Sequence, residues 1–184
     1  VSSGTAALEI SLAALDVGPG DDVLTTAYTF ASTALAVIHR GGVPVLVDVE
    51  EDTFNISPEC IRRTIDKNYT REQRGLVSRT TGNRLKGIIA VHFAGQPAEM
   101  ETIDKIAREN NLFVIEDAAH AIDAKHRGIK IGCSDNLVCF SFYSNKNMTT
   151  GEGGMIATNR ADLERKLRLY SLHGISKDAI QRYK

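Results

Sequence analysis

The chain has 184 residues, a length that suits one domain of ordinary size or a large part of one. Its 22 Lys and Arg balance 23 Asp and Glu, for a formal net charge of −1, which argues against a nucleic-acid coat or a binder of anionic membranes, because both draw on a basic excess. Hydrophobic residues make up 42%, and no apolar run approaches the roughly 18 residues of a membrane span, so neither a nucleic-acid nor a membrane partner is expected.

Along the chain, helical and extended periodicities alternate. After the loop Ser2-Ser3-Gly4-Thr5, Leu8, Leu12 and Leu15 fall at helical spacing, and Gly18-Pro19-Gly20 ends that helix. Residues 22–25 read as a short strand. Residues 30–39 return to helix and stop at Gly41-Gly42. Residues 43–48 form an apolar run of buried-strand type, with Pro44 near its start where a strand tolerates it. Ser57-Pro58-Glu59 reads as an N-cap followed by proline at the first helical position, which opens a helix over 58–66. Residues 66–86 carry six Lys and Arg against two Asp and Glu, with few apolar residues. That composition predicts a solvated or flexible surface insertion, or else a basic flap that meets an anionic substrate or a partner subunit. Strands follow over 87–92, 112–117, 137–142 and 154–158, with helices over 98–109 and 160–172. Such alternation predicts an α/β fold, a three-layer α/β/α sandwich with a mostly parallel sheet, in which ligands bind at the carboxyl ends of the strands.

The three cysteines, Cys60, Cys133 and Cys139, are odd in number and lack CxxC spacing. They fit reduced thiols in a cytoplasmic protein better than a disulfide framework or a zinc site, and no metal site is expected. Cys133 and Cys139 are expected to pack as small hydrophobes.

Three segments concentrate residues with chemistry. Gly4, Thr5 and Ala6 open a helix, where unpaired N–H groups and the positive dipole end suit a phosphate; the same pattern also serves as a plain cap. Asp117 ends a strand, followed by Ala118, Ala119 and His120. It could ligate a metal, act as a base, pair with a cationic ring nitrogen, or cap the turn, and the two alanines leave room for a flat group. Lys146 lies in a polar loop that runs into Gly151, Gly153 and Gly154, and a lysine in a protein-walled site can act as an amine nucleophile. Together, a phosphate-binding helix start, an Asp at a strand end and a downstream Lys are the parts of a pyridoxal phosphate site.

The segments SSGTAALEISLAALDVGPGDDVLTTAYTFASTALAV, AVHFAGQPAEM, VIEDAAHA and FSFYSNKNMTTGEGGMIATN resemble the DegT/StrS-type sugar aminotransferases, which have the aspartate-aminotransferase fold. The resemblance covers nearly the whole chain except residues 66–86, where relatives have a shorter connector. It implies that Lys146 forms the Schiff base with pyridoxal 5′-phosphate and moves the proton, and that Asp117 pairs with the pyridine nitrogen. It further implies that His120, where many relatives have Gln, sits by the ring and its hydroxyl, and that Phe30 stacks on the ring. Gly4, Thr5, Ala6 and Ser141 would meet the phosphate. The implied reaction moves an amino group from glutamate or glutamine to a nucleotide-linked keto sugar, in a cytoplasmic homodimer that supplies surface-polysaccharide or antibiotic pathways. Tyr143-Ser144-Asn145 stands where relatives have His-Pro-x, a change on the substrate side. Some relatives with His at the lysine position are dehydratases, so Lys146 favours transamination over sugar dehydration; cyclitol amination and a non-catalytic regulator on the same scaffold are the other readings. Residues 1–184 would then form most of the large cofactor-binding domain, without an N-terminal arm or a small C-terminal domain. Val1 falls on the phosphate loop and Gln181–Lys184 end without a terminating element, so such a piece is expected to be weakly active or inactive alone.

Overall fold

The computed structural model describes residues 1–172 and Gly174. The expectation about Gln181–Lys184 lies outside these residues. The chain runs α1 (Gly4–Ala14), β1 (Asp21–Thr26), α2 (Ser32–His39), β2 (Val43–Val47), α3 (Pro58–Asn68), β3 (Tyr69–Glu72), β4 (Gly75–Ser78), β5 (Arg84–Val91), α4 (Met100–Asn110), β6 (Phe113–Asp117), β7 (Lys125–His126), β8 (Ile129–Lys130), β9 (Leu137–Ser141), β10 (Gly154–Ala157) and α5 (Ala161–Ser171). A short 3-10 turn, Phe93–Gly95, lies between β5 and α4.

The sheet has the strand order β10-β9-β6-β5-β1-β2. From β2 to β9 every neighbouring pair is parallel, and β10 runs antiparallel against β9. Because adjacent side chains on a strand face opposite ways, the apolar strand runs feed two cores at once. Leu24, Ile88 and Val114 pack with Ile61 and Ile65 of α3 and Ile103 and Ile106 of α4. Val23, Ile89 and Ile115 pack instead with Leu8 and Leu12 of α1, Ala36 and Val37 of α2, and Leu163 and Leu167 of α5. This is the predicted three-layer architecture.

Caps fix the helix ends as expected. Ser57 Oγ accepts from the Cys60 amide, and Pro58 fills the first helical position of α3. α4 starts two residues later than its apolar spacing suggests, after Pro97 and Ala98, and ends on Asn111 in the left-handed region, a conformation Asn tolerates better than most residues.

Residues 66–86 correct the composition-based expectation. They are not a structureless insertion: they complete α3, form the β3–β4 hairpin and begin β5. Tyr69, Leu76 and Val77 are buried and anchor the hairpin, while its charged residues face outward. Tyr69 Oη donates to Asp22 Oδ2 at 2.8 Å, and Asn83 Nδ2 donates to Asp22 Oδ1 at 2.8 Å. Burial first, and then the Asp22 carboxylate, push the Tyr69 phenol well above its ordinary pKa. β4 pairs with β5 at Arg84, the start of that strand, so the hairpin sits at the amino end of the sheet, away from the carboxyl ends. That position keeps the hairpin away from the Asp117 end of its own sheet.

The cysteines are all free: Cys139 is buried, Cys60 half-buried and Cys133 exposed, so Cys133 is not a core residue. None of the described helices is long and apolar enough to cross a membrane.

Candidate active site

Since β1, β5, β6 and β9 are parallel, their carboxyl ends share one edge of the sheet. Asp117 occupies the last rung of β6, opposite Val91 on one side and Cys139 on the other. It is only 7% exposed. Thr33, in the first turn of α2, donates from Oγ1 to Asp117 Oδ2 at 2.7 Å, and Thr29 Oγ1 lies 2.8 Å from the same hydroxyl. The second carboxylate oxygen, Oδ1, accepts from the Ala119 amide at 3.3 Å, a weak bond that leaves acceptor capacity. The Asp117 carbonyl takes the His92 amide, and the Ala118 amide bonds the Cys139 carbonyl, so the strand end is held on both sides.

Glu116, the neighbour on the opposite face, serves the structure beneath. His92 and Glu116 are both buried and meet at 2.9 Å through Nε2 and Oε2. The other ring nitrogen, Nδ1, accepts from the Ala98 amide, so Nε2 carries the proton and donates. Ser134 and Asn136 donate to Glu116 Oε1. Burial raises the carboxyl, but these donors outweigh it and hold Glu116 below the usual glutamate range.

His120 follows in the turn after β6. Its Nε2 lies 2.7 Å from Lys146 Nζ. Lys146 projects from the loop between β9 and β10, which closes on itself: the Thr150 amide and the Thr149 hydroxyl both donate to the Phe142 carbonyl. Burial and the Lys146 charge pull the His120 pKa below the ordinary histidine value, with Asp117 opposing. Asp117, His120 and Lys146, three of the predicted residues, are thus brought together.

At the start of α1, Ser3 caps the helix: its Oγ accepts from the Ala6 amide and its carbonyl from the Ala7 amide, both at 3.0 Å. The Ala6 amide is therefore already used, whereas those of Gly4 and Thr5 make no hydrogen bond among the described residues. Gly4 packs on Ser141 so closely that an added Cβ would lie 2.8 Å from Ser141 Cβ, and a Cβ on Gly154 would run into the Ser3 carbonyl. The helix start, the end of β9 and the start of β10 form one tight cradle. Phe30 lies on the segment leading from β1 into α2 and is 81% exposed. Nearby on the same segment, Tyr28 packs against Phe93 and Phe54, with ring centroids 4.7 and 5.4 Å away. Among the described residues no group of three or more His, Cys, Asp or Glu is placed to hold a metal ion.

Sequence reasoning missed Thr33, Ser3 and Gly154 as site residues. Ser3 carried a local signal, the cap spacing before a helix. Thr33 carried none, because its partner is 84 positions away.

A family model for the DegT/DnrJ/EryC1/StrS aminotransferase family matches residues 1–184. The chain belongs to this family. An uncharacterized protein of Methanocaldococcus jannaschii is 45% identical over 183 residues, spanning 100% of this chain and 43% of that protein. The spore coat polysaccharide biosynthesis protein SpsC of Bacillus subtilis is 42% identical, with the same coverages of 100% and 43%. The chain thus spans less than half the length of these curated relatives. Among solved structures, a DegT DnrJ EryC1 StrS aminotransferase from Brucella abortus superposes with a TM-score of 0.87 at 33% identity, over 96% of this chain and 45% of that one. NtdA from Bacillus subtilis, solved with bound cofactor PMP, gives a TM-score of 0.75 at 34% identity, over 92% of this chain and 35% of that one.

Pyridoxal 5′-phosphate is the cofactor of the DegT/DnrJ/EryC1/StrS aminotransferases. The residues present fit it. A glycine-lined helix start, with two amides unbonded among the described residues, suits a phosphate; a buried carboxylate with spare acceptor capacity suits a protonated ring nitrogen; and a lysine amine lies against His120, just after that carboxylate.

Proposed function

We propose that this chain is most of the cofactor-binding domain of a pyridoxal-phosphate-dependent aminotransferase that moves an amino group from glutamate or glutamine to a nucleotide-linked keto sugar. The convergence of Lys146 and Asp117 around His120 is the observation that carries this reading. The role of SpsC in spore coat polysaccharide biosynthesis fits a sugar substrate.

When bound, pyridoxal 5′-phosphate supplies an aldehyde that takes up amino groups and a ring that accepts electron density from the adjacent carbon. Gly4, Thr5 and Ser141 would hold its phosphate, while the Ala6 amide, engaged by Ser3, would act through the shape of the first turn. Phe30, exposed on the segment between β1 and α2, would be the side chain available to cover one face of the ring. The Asp117 carboxylate, fixed by Thr33, would keep the ring nitrogen protonated. Lys146 Nζ would be the amine that holds the aldehyde and the group that takes up and returns the proton beside it. Tyr143, Ser144 and Asn145, exposed in the loop that carries Lys146, would lie on the substrate side.

The reading makes the whole protein a cytoplasmic homodimer; the exposed apolar side chains of Leu35 and Ile38 on α2 and of Val43 and Leu46 on β2 support a protein contact at that edge. Incubating the whole protein with cofactor, glutamate and a nucleotide-linked keto sugar is expected to yield the amino sugar by mass spectrometry. Cofactor binding without amine formation from any keto sugar or donor would contradict transamination and favour a regulator.

A further inference from the structure

We propose that His120 is a positioning residue for Lys146: its unprotonated Nε2 accepts a hydrogen bond from the lysine amine and holds Nζ over the turn that follows β6. This rests on the reading of Lys146 as the amine that binds the cofactor.

Three observations carry it. First, the contact is 2.7 Å, a strong hydrogen-bond distance, and joins residues 26 positions apart. A lysine ammonium offers donors only, so the imidazole nitrogen facing it must present its lone pair, with the ring proton on Nδ1. Second, the backbone beneath His120 is built to stay in place. Gly95, at φ +87°, comes so near that a Cβ there would lie 2.8 Å from the His120 carbonyl oxygen, and the Ala121 amide bonds the Ala118 carbonyl at 2.9 Å. Third, the charges around the ring agree with a neutral imidazole. The titratable groups facing it are Lys146 from the loop between β9 and β10 and Asp117 from β6, while the 3-10 turn packed against it contributes the uncharged Gly95. Burial and Lys146 disfavour the imidazolium, and Asp117 compensates only in part.

Protonation removes the acceptor and sets two like charges face to face. Lys146 is therefore held above the His120 midpoint and released below it.

The test uses the cofactor-free whole protein with 15N-labelled histidine rings. His120 is expected to show an unprotonated Nε2 and a midpoint below ordinary histidine. Lys146→Met is expected to raise that midpoint, because the lysine charge is gone and Asp117 remains. Separately, borohydride trapping of pyridoxal 5′-phosphate on Lys146 is followed in two variants of this exposed residue. His120→Gln, whose side-chain carbonyl can still accept, is expected to trap within about twofold of the wild-type rate. His120→Phe is expected to trap about tenfold more slowly, the effect of losing one charge-assisted hydrogen bond. An unchanged His120 midpoint in Lys146→Met, or wild-type trapping in His120→Phe, overturns the proposal. A wild-type protein that traps nothing on Lys146 contradicts the cofactor reading alone, and the histidine midpoint still decides the contact.

Discussion

Thr33 Oγ1 donates to Asp117 Oδ2 at 2.7 Å, tying the first turn of α2 to the end of β6. This one bond fixes the carboxylate's rotamer on the buried side of the sheet edge, and Thr29 stands behind it. Thr33→Val, which keeps the shape and removes the donor, is expected to lower kcat about tenfold or more and to destabilise the fold by about 1.5–3 kcal/mol, the range for hydrogen bonds to charged groups. Thr33→Ser should restore most of both. Steady-state kinetics and urea melts on the whole protein check this. A Thr33→Val enzyme with wild-type kcat would contradict it.

Asp117→Ala is expected to abolish turnover while the protein still folds, because an unprotonated ring is a poor sink for electrons. Asp117→Asn should also be severely impaired, since a neutral amide cannot stabilise the ring cation. Circular dichroism together with an amine-formation assay separates loss of fold from loss of chemistry.

Glu116 predicts a pH dependence of stability rather than of catalysis. Its folded pKa is depressed, so the stability it contributes is present above the ordinary glutamate value and is lost as pH falls through the depressed folded value. Glu116→Gln should therefore be less stable than wild type at pH 7, by about 1–3 kcal/mol for the weakened pairing with His92, Ser134 and Asn136. The deficit should shrink as the pH is lowered below the carboxylate range. Denaturant melts between pH 3 and pH 7 read both trends; a deficit that grows on acidification would contradict the assignment.

The β3–β4 hairpin lies at the far end of the sheet from Asp117, so its contacts should affect stability alone. Tyr69→Phe leaves the buried Asp22 with Asn83 as its remaining side-chain donor. It is expected to cost about 1–3 kcal/mol while KM and kcat stay at wild-type values.

Gly4→Ala tests the cradle. Its Cβ would press on Ser141, whose own Cβ cannot swing away, so the helix start must shift. Cofactor affinity is expected to fall about tenfold or more, with little change in melting behaviour, as measured by equilibrium titration.

Local chemistry and long-range contact were unequally legible in the sequence. The strands of the central sheet stood out because apolar runs such as Ile88-Ile89-Ala90-Val91 are buried on both faces. Asp117, Lys146 and the Gly4 turn were legible because their residue types sit at strand and helix ends, where parallel sheets gather ligands. The hairpin was not: Tyr69, Leu76 and Val77 are its only buried apolar anchors, scattered among arginines that stay in solvent. The Ala6 amide looked available until the structure engaged it with Ser3, one residue before the helix. Thr33 was invisible because a hydroxyl in a helix's first turn ordinarily serves its own backbone, and only the fold brings Asp117 to it.

The central claim is that Lys146 is the amine that binds the cofactor. Whole protein incubated with pyridoxal 5′-phosphate, reduced with borohydride and digested should carry the pyridoxyl group on the peptide containing Lys146. Labelling of a different lysine, with Lys146 unmodified, would contradict the account.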